Sequence, residues 1–176
     1  MVEKPKETDT YIIEDYSVFT RDDYNNLIKG DLDTAYEFYD TVTKDRFLTY
    51  RIVNFAIQYD VPVNISMSIV INESGMNPEA TNYNEYSIDH GLYQLNSRTY
   101  RFYKASYLTN INNNVRLGNR HLKTNYLKTK TWEEAIISYN CGFGQRIPRI
   151  SIKYLGKILR TEERLNRELI AFLNVK

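Results

Sequence analysis

Val63-Asn-Ile-Ser-Met-Ser-Ile-Val-Ile-Asn-Glu73-Ser74-Gly75 is the most apolar stretch of the chain. Its apolar residues fall on nearly every face of a helical period, which predicts a helix buried in a core. Asp60-Val61-Pro62 breaks the chain before it, and Pro62 suits a first helical position. Gly75 and Pro78 stop it. Glu73 thus ends a buried helix, where two effects raise its pKa. Burial disfavours the charged carboxylate, and the negative end of the helix dipole repels another anion. A carboxyl kept protonated near neutral pH is what a general acid needs. The competing reading is a solvated Glu at an exposed helix end.

The segments around it are also helical. Thr34 offers a cap for a helix carrying Tyr36, Tyr39 and Val42. A second stripe follows at Leu48, Ile52, Phe55, Ala56 and Tyr59, and the two read as separate helices or one bent helix. Residues 79 to 96 are rich in Asn, Tyr and Gly and suit a loop or small hairpin. Asn112 to Asn114 offer caps for a helix with Val115, Gly118, Leu122 and Tyr126 on one side. Thr131-Trp-Glu-Glu134 is a capping box, and the helix it starts stops near Gly142. A final amphipathic helix over 150–174 carries Leu155, Ile158, Leu165, Leu169 and Phe172. Residues 1–33 are acidic and irregular and read as an extended or partly ordered arm, leaving 34–176 as the folded domain. The expected fold class is α+β, mostly α.

Composition bounds the function. The chain has 176 residues, enough for one domain with a full core. Its 23 Lys and Arg against 22 Asp and Glu give +1, which argues against a nucleic-acid partner. A local patch remains compatible with that balance, and the Lys and Arg residues at 146–160 read as a modest basic strip or as solvated helix charges. One Cys forms no internal disulfide. His90 and His121 lie too far apart to suggest a metal pair, so neither metal nor cofactor is expected. Cys141 reads as a small packing residue. No run spans a membrane, and the polar opening MVEKPKETDT has no apolar leader segment. Tyrosine is in excess, at 16 residues. A biased genome explains the total, but Tyr83, Tyr86, Tyr93, Tyr100 and Tyr139 gather near the segments described next, where rings stack on polar ligands.

Five segments, taken in order, resemble a lytic transglycosylase (SLT-type) domain of the lysozyme superfamily over residues 47–142. Arg51 to Pro62 resembles its lead-in helix and Val-Pro turn. Ser68-Ile-Val-Ile-Asn-Glu73-Ser74-Gly-Met-Asn-Pro78 resembles the segment holding the catalytic Glu-Ser pair. Gly91-Leu-Tyr-Gln94 matches Gly-Leu-x-Gln. Asn114-Val-Arg-Leu-Gly118 resembles the Asn-Ile-x-x-Gly helix start, and Ser138-Tyr139-Asn140-Cys-Gly142 resembles Ala-Tyr-Asn-Ala-Gly. The resemblance implies a lysozyme-like helical domain that cleaves peptidoglycan between N-acetylmuramic acid and N-acetylglucosamine. It implies Glu73 as acid and then base, closing a 1,6-anhydro ring without water. Ser74, Gly91, Gln94, Tyr139 and Asn140 are the substrate-binding residues it implies, with the Tyr139 hydroxyl approaching Glu73. Each has a plainer reading: Ser74 bonds its own helix, and Tyr139 packs in the core.

Ser87 to Arg98 also resembles the strand region of animal lysozymes, where the counterpart of Asp89 is the second catalytic carboxylate. Transglycosylases used with secretion and conjugation machines carry a similar Asp-x-Gly-Leu-x-Gln-Ile-Asn pattern, so Asp89 does not by itself imply hydrolysis. A turned-away or salt-bridged Asp89 favours the single-Glu transglycosylase. Glu85 is a weaker candidate, by likeness to goose-type lysozymes. The expected function is therefore a lytic transglycosylase. The alternatives are a hydrolytic muramidase using Glu73 with Asp89, or an inactive glycan-binding module. The expected partner is the peptidoglycan glycan strand, the expected state a monomer, and the expected place the periplasm or cell envelope, with a leader missing from this chain.

Overall fold

The computed structural model describes residues 19–144 and 146–175. Eight helices and a small sheet are built among them. Helix α1 (Arg21–Gly30) lies within the stretch read as an irregular arm. Its start is a capping box, with Thr20 accepting from the Asp23 amide and Asp23 reaching back to Thr20. Residues 1–18 of that arm lie outside the described residues. Arg21 fastens α1 to the body: it donates to Glu162, which is almost fully buried, at 2.6 Å and to Glu133 at 3.0 Å.

Helices α2 (Leu32–Thr43) and α3 (Arg46–Gln58) are two helices, not one bent helix. Lys44 in the left-handed region ends the first, and the Asp45 side chain caps the second. Asp31 rather than Thr34 caps α2, because it stands one residue before the helix and accepts from the Thr34 amide. Pro62 is likewise the cap residue of α4 (Val63–Ser74), which opens one residue later than Pro62. Gly75 closes α4 at φ +59°.

Helix α4 is the central helix. All eight residues from Val63 to Val70 are buried, and its neighbours include α3 and α8. Two of its polar positions, Asn64 and Ser66, are bonded inside the core, while the buried Ser68 hydroxyl finds no partner among the described residues. Asn64 bonds Tyr39 and Asn166, while Ser66 donates to Asn119 at 2.9 Å. Asn119 donates in turn to the Tyr93 hydroxyl at 2.9 Å, which lies 2.5 Å from Ser66. This closed ring of three side chains locks the turn between the last two strands of the sheet onto α4 and α6, since a buried polar group left unpaired costs free energy.

The hairpin expected over 79–96 is a three-stranded antiparallel sheet, β1 (Thr81–Tyr83), β2 (Ile88–His90) and β3 (Leu95–Asn96), in that order. Asp89 on β2 faces Asn82 on one side and Asn96 on the other. After the short α5 (Ala105–Thr109), α6 (Ile111–Thr129) is capped by Asn110, ahead of the Asn112–Asn114 run expected to do so. Thr131 caps α7 (Trp132–Cys141), and α8 (Arg149–Val175) covers α4 and α7.

Gly118 on α6 is a packing glycine. A Cβ there would lie 2.2 Å from the Tyr93 ring. Gly118→Ala is therefore expected to destabilise the fold by about 2 kcal/mol through overpacking, read as a lower denaturant midpoint with unchanged slope.

Candidate active site

A cleft of about 680 Å³ opens between the sheet and helices α6 and α7, with the end of α4 at its floor. Glu73, Asp89, Gln94, Tyr139 and Asn140 all line it. Five residues from four separate sequence segments thus converge on one hollow. Glu73 is half-buried at the last turn of α4. Burial pushes its carboxyl up to about 7; the Tyr154 hydroxyl works against this, and the charge of Asp89 adds to it. Tyr154, on the first turns of α8, donates to Glu73 Oε1 at 2.5 Å. Burial and the Glu73 charge raise the Tyr154 hydroxyl well above its usual range, so it remains a donor.

Asp89 is neither turned away nor salt-bridged. Its Oδ1 accepts from Asn96 at 2.7 Å and its Oδ2 from Asn84 at 2.7 Å. The strand register explains this: Asn96 lies directly across from Asp89 on β3. Asn84 reaches in from the turn between β1 and β2. Both partners lie in the Asn-rich segment over 79–96 that suits a loop or small hairpin.

The other expected site residues are placed as follows. Gln94 takes φ +45°, and its amide nitrogen donates to the Gly91 and Ala80 carbonyls at 2.8 and 3.1 Å. These bonds turn the residue toward the cleft and use only its nitrogen. The Tyr139 hydroxyl donates to the Tyr93 carbonyl at 2.5 Å. Asn140 Oδ1 accepts from Ser151 at 2.7 Å. Ser74 does not line the cleft; its hydroxyl donates to the Val70 carbonyl of its own helix. Gly91 is buried at φ +71°, where a Cβ would meet Asn114 Nδ2 at 2.5 Å. The close approach it permits is to Asn114, whose side chain bonds the His90 and Leu108 carbonyls and the Tyr93 amide. Glu85 is exposed on the β1–β2 turn, outside the cleft wall.

The two histidines lie in different surroundings. His90, the last residue of β2, is buried, while His121 lines the cleft with its ring 5.1 Å from that of Tyr139. Burial, then the charge of Lys128, lowers the His121 pKa, which keeps the ring neutral at pH 7. Cys141 lines the same wall. Of the five tyrosines expected around a ligand, only Tyr139 lines the cleft itself; Tyr93 is core, Tyr100 is half-buried in an adjoining groove, and Tyr83 and Tyr86 are exposed elsewhere.

Tyr154, which bonds Glu73, and the cleft residues Asn84, Asn96 and His121 are among the site residues that sequence reasoning missed. Asn96 stood within a quoted motif and carried a signal. Tyr154 pairs with Glu73 across 81 residues of chain, and no local pattern marks it.

The chain matches the family described as Transglycosylase SLT domain over residues 52–159, and it belongs to that family. Members of this family are typically lytic transglycosylases acting on peptidoglycan. The match runs past Gly142 and takes in Tyr154. Comparison with curated proteins and with solved structures returned no match. Among the described residues, no helix is long and apolar enough to cross a membrane.

Proposed function

We propose that the protein is a peptidoglycan lytic transglycosylase acting at the cell envelope, with Glu73 as acid and then base. The observation that carries this reading is a carboxyl pushed up to about 7 by burial at the floor of a polar cleft, with Tyr154 holding one oxygen. Glu73 gives its proton to the bridging oxygen as the bond from muramic acid C1 to that oxygen breaks. The resulting carboxylate takes the proton of the muramic acid 6-hydroxyl. That oxygen bonds C1, the 1,6-anhydro ring closes, and Glu73 ends protonated as it began. Water takes no part. Gln94, Tyr139 and Asn140 bind the sugar on the wall beside Glu73, and its N-acetyl group helps stabilise C1. Ser74 and Gly91 support this wall from behind rather than touching sugar.

Asp89 supports a stabilising role. Each of its oxygens accepts an amide hydrogen, which holds the carboxylate in place and spreads its charge, and from the cleft wall that charge can stabilise the oxocarbenium-like centre. Its presence in the same cleft is what favours the second reading, a retaining muramidase. Counting reducing ends separates the two. Digestion of purified sacculi should release soluble glycan with no gain in reducing ends, whereas a muramidase yields one per cut.

Asp89→Asn is expected to lower kcat about tenfold and leave the product unchanged. Removing the charge also lowers the Glu73 pKa, so the alkaline limb of the pH–rate profile moves to lower pH. Complete inactivity of Asp89→Asn would point to the nucleophile role.

A further inference from the structure

The cleft does not end at His121. It shares Thr99, His121 and Thr124 with a groove of about 260 Å³ that continues over Tyr100 and Arg120. That groove shares Tyr103 with a hollow of about 440 Å³ reaching Tyr107 and Asn113. These shared walls make one trough from Glu73 to Tyr107.

Two features of its far end point to a ligand. The first is a ring platform. Tyr103 and Tyr107 stack with centroids 4.7 Å apart and planes 15° apart, and Tyr103 stays 41% exposed. Arg116 fixes the Tyr107 hydroxyl with a 2.7 Å bond. The second is charge. Residues 90–132 contain eight Lys and Arg and no Asp or Glu, although the whole chain carries only +1. Among the described residues, Arg98, Arg101, Lys104, Arg116 and Arg120 enter no ion pair. Lys123, by contrast, is paired with Asp60.

We propose that this trough is an extension of the cleft that holds the glycan strand beyond the cut bond. A sugar lays its apolar face on the exposed ring of Tyr103, and Arg116 and Arg120, one turn apart on α6, meet carboxylates of the strand. Muramic acid supplies these, either as a free lactyl carboxylate or on the peptide its lactyl group carries. The inference rests on the peptidoglycan reading and adds that long, charged strands are held more tightly than short, peptide-free ones.

The test is sedimentation with purified sacculi, which needs no turnover. In a Glu73→Gln background, Tyr103→Ala with Arg120→Ser should weaken binding about tenfold, and raising salt should weaken the parent more than the variant. Arg120→Ser alone, an exposed change, should give part of the loss with an unchanged melting temperature. In the active protein, the double change should raise KM for sacculi while kcat on short peptide-free oligomers stays put. Unchanged binding and salt dependence overturn the proposal. So does a loss confined to phosphatidylglycerol vesicles, which would make this a membrane-facing patch. A parent enzyme that binds sacculi through the trough but yields only reducing ends contradicts the transglycosylase reading and leaves the extension standing.

Discussion

Glu73→Gln is expected to abolish the release of soluble glycan from sacculi while making the protein more stable at neutral pH. Loss of a positioned general acid costs about 10²–10⁴ in rate, and here one carboxyl performs both proton transfers, so the upper end applies. The amide keeps the shape, and it keeps an acceptor for Tyr154. The stability gain follows from linkage. The folded carboxyl titrates near 7 and the ordinary value is 4.5, so the folded state holds the proton more tightly. Its contribution is fully present below pH 4.5 and is lost as pH rises through 7. The wild type thus carries a cost of about 2 kcal/mol at pH 8, after allowing for solvent reaching the open cleft, and the neutral amide does not. Urea unfolding at about pH 4 and pH 8 checks this: the two proteins should match at the lower pH and separate at the higher. An active Glu73→Gln enzyme contradicts the assignment outright.

Tyr154→Phe is expected to lower kcat by about ten- to a hundredfold with little change in KM. Tyr154 fixes the rotamer of the acid through one bond 2.5 Å long. A carboxyl free to swing spends less time aimed at the bridging oxygen. The same bond lowers the Glu73 pKa against the upward push of burial. Its removal therefore moves the pKa upward, and the alkaline limb of kcat/KM shifts to higher pH. This direction is opposite to that of Asp89→Asn, which makes the pair diagnostic. A merely structural role for Tyr154 would change stability and leave the pH limb in place.

The central helix was legible to within one residue, because an apolar run between Pro62 and Gly75 leaves few choices. Glu73 was legible for the same reason: its place at the end of that run follows from counting. The caps were less so. Asp31 and Thr34, like Asn110 and Asn112, are equally good capping types a few residues apart, and only the backbone decides between them. Helix α1 was hidden by its acidic surroundings, although Thr20 and Asp23 spell a capping box. Strand β3 has two residues, too short to leave an alternating pattern.

The site was half legible. Gln94, Tyr139 and Asn140 came through resemblance and reach the cleft. Tyr93 shows where composition misleads: its hydroxyl suggested a ligand surface, but Ser66 and Asn119 satisfy it inside the core. Contacts made across the fold left no trace in sequence. Tyr154 on Glu73 and Asn84 on Asp89 depend on where α8 and the β1–β2 turn come to rest.

The central claim is that the bond is cut without water, and the masses of the products test it directly. Sacculi digested by the wild-type protein should give muropeptides ending in 1,6-anhydro-muramic acid, about 18 Da lighter than their hydrated counterparts. Products carrying only hydrated, reducing ends would contradict the transglycosylase account and give the cleft to a muramidase that uses Glu73 with Asp89.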